Sequence, residues 1–575
     1  FVTCGSPQAL SLSVQTDRAQ WIGRNRNATA PWGQLVPVDG AVSGVVQQVM
    51  QTGLDPVCVL SARVRLEPDE RIVLTFATAA ADRFETLMAM VDKYRQVSHI
   101  QRASLMSATL AGIRLRALHF SPDSYSALQS MTTSLLLTLA APRPDEEVFG
   151  QASPTCDRKL LWQFGISGDR PIFLVTAGAL QGLGMVRSLA SAMRIWAWAG
   201  VPVDLVVINT EPNSYLMALQ QELRTLSERH AADCAGPLAS TGMFLLRNDD
   251  VPAVVLRTLM ALAVLHMEAD GRPLVHHVRD WLARSDQHAA HNTQQPQSNV
   301  PAVCYADVAD TVCNGNFGDG GAEFSFSTGA HARTGKPWTN VLANPAFGAL
   351  ATEAGGGFTW AGNSRLNQLT AWSNDPVCDP PGEWFLLQDM RTSDTWSLTP
   401  SLWGDAKALY TTVHGMGHTT VSHSHGPLVI AIAWCVDPYT AIKQISVRVF
   451  NSGHRHARLR LLGMVEWIMG SNRLARSTTM TANVSNGPQD APLLLCSQQD
   501  ASYGFGDGTA FFAVKGNDPG FASSVDWTCD RREFFNVDGM LVWPQSLGRT
   551  QGSGLDPCAA LSVPFTMVGG ESVQW

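Results

Sequence analysis

The sequence predicts an α+β protein, mainly β, in which a large β-sandwich over residues 315–575 follows the end of a first, truncated sandwich, a helical segment and an α/β layer. Three observations carry that reading. A four-residue landmark recurs at widely separated positions, the hydrophobic period switches between two and about 3.6 along the chain, and the composition is that of turn-rich β structure. The 575 residues include 48 Gly, 31 Pro and 17 Trp, and charged residues make up 16%, against roughly 25% in an ordinary soluble protein.

The landmark is Gly53-Leu54-Asp55-Pro56 followed by Cys58 and Leu60-Ser61, which returns as Gly554-Leu555-Asp556-Pro557 followed by Cys558 and Leu561-Ser562. Upstream of each lies an Asp-Arg pair, Asp17-Arg18 and Asp530-Arg531, a few residues before an aromatic position. Two echoes in the same order indicate a duplicated unit. The later copy has a long β-like stretch before its Asp-Arg pair, from about Gly315, whereas Asp17 stands near the first residue. The expectation is a piece of a longer protein that lacks most of its first copy.

Residues 1–78 read as the closing edge of the first sandwich. Ser61-Ala62-Arg63-Val64-Arg65-Leu66 and Arg71-Ile72-Val73-Leu74-Thr75-Phe76 alternate and are predicted to pair across the turn Glu67-Pro68-Asp69-Glu70. Over 79–150 the period becomes helical: Phe84, Leu87, Met88, Val91 and Tyr94 form one stripe, and Met106, Leu110, Ile113 and Ala117 another. A third helix starts at Ser121-Pro122, a capping residue followed by proline at the first helical position. In 151–285 the apolar runs Ile172 to Thr176, Val203 to Asn209 and Met243 to Leu246 alternate with helical stretches Leu183 to Trp198, Ser214 to Arg229 and Val251 to His266. That alternation predicts a small parallel sheet. Residues 286–314 are polar and unpatterned at their start, as in a linker, and 315–575 is a succession of short alternating runs between turn signals.

This length supports several domains. A net charge of −8 without a basic run excludes a nucleic-acid partner, because phosphate neutralisation needs clustered Lys and Arg. The 11 cysteines are spread out with no CxxC pair, which reads as free thiols in a reducing compartment. The most apolar segment, Val251 to Met267, carries Arg257 and His266 and falls short of the roughly 20 apolar residues of a membrane helix. These residues are therefore not expected to span a membrane, and no signal-peptide pattern opens them.

Four motifs invite a chemical reading. Ala177-Gly178-Ala179-Leu180-Gln181-Gly182-Leu183-Gly184 joins a strand to a helix, where a phosphate could sit. Its spacing is not GxGxxG and no Lys-Ser/Thr follows, so a tight structural turn is the stronger reading. Gly165-Ile166-Ser167-Gly168-Asp169 matches a nucleophile elbow only loosely, and its serine reads as a turn residue or cap. His414, His418, His423 and His425 crowd together without an interleaved Cys or acid, which favours histidines of a sheet over a metal centre, and no metal is assigned. The stretch from Gly355 to Pro376 is the most distinctive. Trp360, Asn363, Arg365, Trp372, Asn374 and Asp375 supply flat apolar faces and bidentate polar groups suited to sugars. A glycine-rich hairpin whose tryptophans fill a core fits the same residues.

Trp338-Thr339-Asn340-Val341-Leu342-Ala343-Asn344-Pro345-Ala346-Phe347-Gly348, the Gly355 to Pro376 stretch, Asp379-Pro380-Pro381-Gly382-Glu383 and Val413-His414-Gly415-Met416-Gly417-His418 together resemble the N-terminal sandwich of family-94 glycoside phosphorylases, a mutarotase-like super-sandwich. Glu466-Trp467, Asp530 and Gly554-Leu555-Asp556-Pro557 follow in the expected order. Upstream, the run Trp162-Gln163-Phe164-Gly165-Ile166-Ser167-Gly168-Asp169-Arg170-Pro171-Ile172 and the doubled sandwich resemble the C-terminal half of cyclic β-1,2-glucan synthases.

The resemblance implies a carbohydrate-active enzyme of glucosyl transfer. In that family an (α/α)6 barrel follows the sandwich and carries an Asp as general acid, and inorganic phosphate attacks the anomeric carbon with inversion, as in inverting glycoside chemistry. No cofactor is implied beyond phosphate as co-substrate, and no catalytic residue is assigned within these 575 residues. The resemblance further implies a β-glucan oligosaccharide as partner and a membrane-anchored parent protein on the cytoplasmic side of a bacterial inner membrane; a homodimer is a separate expectation. The leading expectation is a scaffold sandwich with Trp360, Asn363, Arg365, Trp372, Asn374 and Asp375 facing carbohydrate or a domain contact. The alternative is a non-catalytic carbohydrate-binding or dimerisation module.

Overall fold

The computed structural model describes residues 2–4, 10–28, 31, 33, 35–37, 55–137, 156–213, 215–234, 241–293, 297–300, 314–329, 333–484, 491–503, 508–516, 521–536 and 539–575. They fall into two compact units. The first comprises residues 1–120 with Asp375–Asp379, and the second Ser121–Asn374 with Pro380–Trp575.

In the first unit, Leu10–Asp17 is the middle strand of an antiparallel sheet between Val36–Pro37 and Pro56–Val64. Leu74–Phe76 pairs with Val2–Cys4. The predicted hairpin between 61–66 and 71–76 is therefore corrected. Its turn exists, with the Glu70 main-chain N–H donating to the Glu67 carbonyl at 3.1 Å, but each flank pairs with a strand from the N-terminal stretch instead. Cross-strand packing chooses the partner, and local alternation does not reveal which one it is. The helices Phe84–Tyr94 and Val97–Ala117 form as expected but bury no residue fully, and Met106, Leu110 and Ile113 stay exposed.

The second unit opens with the helix Pro122–Leu137, where Ser121 Oγ accepts from the Ser124 N–H at 3.1 Å. Residues 138–150, the end of the predicted helical segment, and 151–155 lie outside the described residues. A parallel sheet follows in the order Thr241–Arg247, Val203–Asn209, Ile172–Ala177, Ala263–Glu268. Every residue of Val203–Asn209 is buried, as a parallel strand covered on both faces demands. The helix expected from Val251 to His266 is corrected here: it runs Ala253–Leu262, and Ala263–Glu268 becomes the fourth strand. An unbroken apolar run satisfies either period, and pairing with Ile172–Ala177 decides it. Of residues 286–314, read as a linker, the helix Leu274–Thr293 takes the first part and the strand Gln297–Asn299 pairs with Val542–Pro544; 294–296 and 301–313 lie outside the described residues.

Among the described residues, the large sandwich sets two antiparallel sheets face to face. One runs Gly315–Gly318, Glu323–Thr328, Tyr410–Gly415, His418–His425, Leu428–Val436, Lys443–Asn451 and Ser572–Gln574. The other starts with Thr339–Asn344, Phe347–Thr352, Gly355–Ala361 and Gln368–Thr370 and centres on Ala457–Gly470, which is flanked by Glu383–Asp389 and Pro557–Met567. Burial alternates along Leu428–Val436, as one-sided sheets require. Leu387, Tyr410, Ile430, Trp434, Val449 and Leu461 form the core between the sheets.

The duplicated landmark folds twice into the same corner. The Arg18 N–H donates to the Asp55 carbonyl at 3.1 Å and the Arg531 N–H to the Asp556 carbonyl at 2.9 Å. Both guanidinium groups reach the same Asp carboxylate, at 2.9 and 3.0 Å. Asp17 and Asp530 each cap the following turn, accepting from the Ala19 and Arg532 N–H at 2.8 and 3.1 Å. Even the register irregularity before Asp17↔Pro56 recurs before Asp530↔Pro557. Gly53 and Leu54 lie outside the described residues.

Candidate functional site

Trp360 lies near the end of the strand Gly355–Ala361, directly opposite Gly348. A Cβ on residue 348 would meet the Trp360 ring at 2.2 Å, so glycine there is what lets the indole lie against the neighbouring strand. Phe358 packs on Trp360 with centroids 5.0 Å apart and on Trp372 at 4.9 Å with ring planes only 20° apart. Phe358 is buried while Trp372 is 45% exposed. The three rings thus form a stack whose outermost member is open to solvent, a flat apolar surface of the kind that takes sugar C–H faces.

Asn363 and Arg365 share the tight turn after this strand. Asn363 Oδ1 accepts from the Arg365 and Leu366 N–H groups, both at 2.9 Å, an Asx turn, and Arg365 is exposed. Asn374 takes the left-handed conformation at φ 49°. Asp375 is different: it belongs to the first unit, where Arg18 donates to both its oxygens at 2.9 and 2.6 Å. It also accepts from the Val377 and Cys378 N–H groups at 3.0 Å. Burial opposes its charge, but these hydrogen bonds prevail and hold its pKa at about 2. Trp360 and Trp372 are therefore brought together, Asn363 and Arg365 sit on one turn, and Asp375 is committed to Arg18.

A second polar centre lies in the interior of the sandwich. Lys443 Nζ donates to Glu383 Oε1 and, at 2.6 Å, to Thr359 Oγ1. Thr359 and Thr370 hydroxyls also donate to Glu383 Oε1, at 3.1 and 3.4 Å. The Glu383 side chain is fully buried. Gly356 makes room for it, since a Cβ there would stand 2.9 Å from Glu383 Oε2 and 2.7 Å from Trp434 Nε1. Glu383 entered the sequence reading only as part of a resemblance, and Lys443 not at all. The one available signal was a lone acid at the head of the apolar run Trp384-Phe385-Leu386-Leu387.

The remaining motifs resolve into structure. His414 bonds the Trp338 carbonyl through Nε2 at 3.0 Å and Thr419 through Nδ1 at 3.1 Å, and burial pushes its pKa down. His423 packs on Tyr410 at 4.4 Å. His425 stacks on Trp396 at 3.7 Å and pairs with Asp405, and His418 lies near Glu323. Among the described residues no group of three or more His, Cys, Asp or Glu side chains could hold a metal ion. In the 177–184 turn, a Cβ on Gly178 would meet Thr210 at 2.8 Å and one on Gly182 the Ala269 carbonyl at 2.3 Å, so packing accounts for both glycines. Ser167 Oγ accepts from the Asp169 N–H at 3.1 Å, closing a turn.

Paired antiparallel sheets of seven and nine strands define a large β-sandwich. The sequence model of the glycosyl hydrolase 94 supersandwich domain matches residues 1–97 and 322–575, and the chain belongs to that family. Along its whole length it is 26% identical to the cyclic beta-(1,2)-glucan synthase NdvB of Rhizobium meliloti (strain 1021), of which it spans 20%. Over 23% of its length it is 23% identical to the N,N'-diacetylchitobiose phosphorylase of Vibrio furnissii, covering 17% of that protein. No described helix is long and apolar enough to cross a membrane.

Proposed function

We propose that the chain is part of a glucan-processing glucosyl-transfer enzyme of the cyclic β-1,2-glucan synthase or β-glucan phosphorylase type, with inorganic phosphate as co-substrate of the parent protein. Its sandwich is the scaffold, and the Trp360, Phe358 and Trp372 stack with the Asn363–Arg365 turn is the glucan-facing surface. The observation that carries this reading is the similarity to a glucan synthase along the entire chain, supported by a solvent-facing Trp372 held flat on Phe358. The general acid of family-94 enzymes belongs to the helical barrel and not to the sandwich, so these 575 residues are proposed to be catalytically silent by themselves. The parent is placed on the cytoplasmic side of a bacterial inner membrane.

Titration with a β-1,2-gluco-oligosaccharide is expected to quench tryptophan fluorescence in the wild-type chain and not in Trp372→Ala. A silent wild type, or a variant that responds equally, overturns the surface assignment and favours a module that makes protein contacts. Glucose 1-phosphate formed by this chain from the same oligosaccharide and phosphate would refute its catalytic silence.

A further inference from the structure

The duplicated corner continues into the strand and the turn that follow it, so each copy shows what the other should contain. Pro56–Val64 and Pro557–Met567 both start at the landmark proline. Leu60 lies opposite Val14 and Ser61 opposite Ser13, as Leu561 lies opposite Trp527 and Ser562 opposite Asp526. The turns beyond them repeat bond for bond. The Glu67 N–H donates to Glu70 Oε2 at 3.0 Å and the Val568 N–H to Glu571 Oε2 at 2.7 Å. The Glu70 and Glu571 N–H groups donate in return to the carbonyls of Glu67 and Val568, at 3.1 and 3.3 Å.

The copies differ on one side. Pro557–Met567 is an interior strand, paired with Asp526–Asp530 on one edge and with Ala457–Gly470 on the other. Leu10–Asp17 stands where Asp526–Asp530 does, but among the described residues nothing pairs with the other edge of Pro56–Val64, which ends its sheet. Burial records the difference. Residues 557–563 are all buried, with Leu561 and Ser562 at 2% and 1% exposure, whereas none of residues 56–64 is buried. Apart from Pro56 at its start and Arg63 near its end, this strand carries none of the charges or prolines that blunt an exposed edge. A flat edge of apolar residues, whose counterpart is covered, has the features of a surface for strand addition.

We infer that the outer edge of Pro56–Val64 takes up an antiparallel peptide strand of the chemistry of Ala457–Gly470, extended and apolar on both faces over its centre. In the second copy that strand runs in register from Ala457↔Met567 to Glu466↔Cys558 and is itself largely buried. Main-chain N–H and C=O groups give such a partner its affinity, and alternate side chains give it selectivity. Its side chains would cover Val57, Val59, Leu60 and Ala62 as Ala457–Gly470 helps to cover residues 558–563. The occupant is a protein segment, so this surface is distinct from the glucan-facing stack and does not rest on the glucan reading.

A synthetic peptide of the Ala457–Gly470 sequence, flanked by lysines for solubility and carrying a fluorescent label, tests the surface on the intact 575-residue chain. Anisotropy should show saturable binding, and hydrogen exchange should slow at amides within residues 56–64. In a peptide with Leu461→Pro and Leu462→Pro, one proline removes an N–H aimed at the edge, because successive N–H groups of a strand point to opposite sides. Its binding should weaken roughly 3- to 10-fold, the scale of one neutral hydrogen bond. No variant of the protein is needed, so misfolding cannot mimic a loss of binding. Absence of saturable binding, binding without protection at residues 56–64, or equal binding of the proline peptide overturns the proposal. So does a chain that dimerises by itself in sedimentation with those same amides protected, since the edge would then serve a second copy.

Discussion

Arg18 holds Asp375 by two parallel hydrogen bonds, Nη1 to Oδ1 at 2.9 Å and Nη2 to Oδ2 at 2.6 Å, so that residues far apart in sequence close one part of the first unit. Bidentate guanidinium–carboxylate pairs are directional, and lysine cannot reproduce them. With the folded pKa of Asp375 at about 2 and an unfolded value near 3.9, its contribution is complete above about pH 4 and disappears as the pH falls towards 2. Asp375→Asn is expected to remove about 1–2 kcal/mol at pH 7, after discounting for partial exposure, and to flatten the acid limb of the stability profile. Denaturant melts at pH 2 to 7 check both.

His423 behaves in the corresponding way at higher pH. Burial, with the neighbouring His425, lowers its pKa to about 4, below the ordinary 6.5. The unfolded chain therefore takes up the proton first, and stability falls as the pH drops from about 6.5 to 4. Both ring nitrogens lack partners. His423→Phe should raise stability by about 1–2 kcal/mol at pH 7 and remove a loss of about 2–3 kcal/mol between pH 6.5 and 4, as read from urea midpoints.

Removing the amine of the buried Lys443–Glu383 pair leaves a carboxylate without its counter-charge. Lys443→Met is expected to destabilise the sandwich by about 3–5 kcal/mol, and the double variant Lys443→Met/Glu383→Leu to recover most of that. A double-mutant cycle in guanidinium measures the coupling; additive losses would show that the pair is not coupled.

Two glycines should respond oppositely to alanine. Gly356→Ala would drive a methyl against Trp434 Nε1 and Glu383 Oε2 and is expected to cost about 1–3 kcal/mol. Gly184, in the first turn of the helix Leu183–Ala199, has nothing within 4 Å of its Cβ position, so Gly184→Ala should stabilise by about 0.4–1 kcal/mol. Paired thermal melts settle the signs.

Local signals in the sequence were sufficient wherever a residue's role is set by its near neighbours. Ser121 caps its helix as its position before Pro122 suggests, and the repeated Asp-Arg and Gly-Leu-Asp-Pro landmarks mark a corner whose bonds recur in both copies. Roles set across sheets were not legible. The strand Leu74–Phe76 has its partner at Val2–Cys4, the switch from helix to strand at Leu262/Ala263 carries no glycine or proline to announce it, and Glu383 and Lys443 meet across 60 positions. Among the candidate site residues, the sequence grouped Trp360 and Trp372 by proximity, but Phe358 as the ring between them and Arg18 as the partner of Asp375 emerge only from the fold.

The strand Ala457–Gly470 has a consequence for synthesis. It is largely buried on both faces and is paired on one edge by Glu383–Asp389, made earlier, and on the other by Pro557–Met567, made almost a hundred residues later. Until residue 567 has left the ribosome, an apolar strand offers a full row of unsatisfied N–H and C=O groups to whatever lies nearby. Exposed edges of that kind recruit other chains, and non-local pairing closes slowly. Truncations placed between residues 470 and 557 should therefore accumulate as aggregates, whereas the meander from Tyr410 to Asn451, whose neighbours in space are neighbours in sequence, can zip up as it is made.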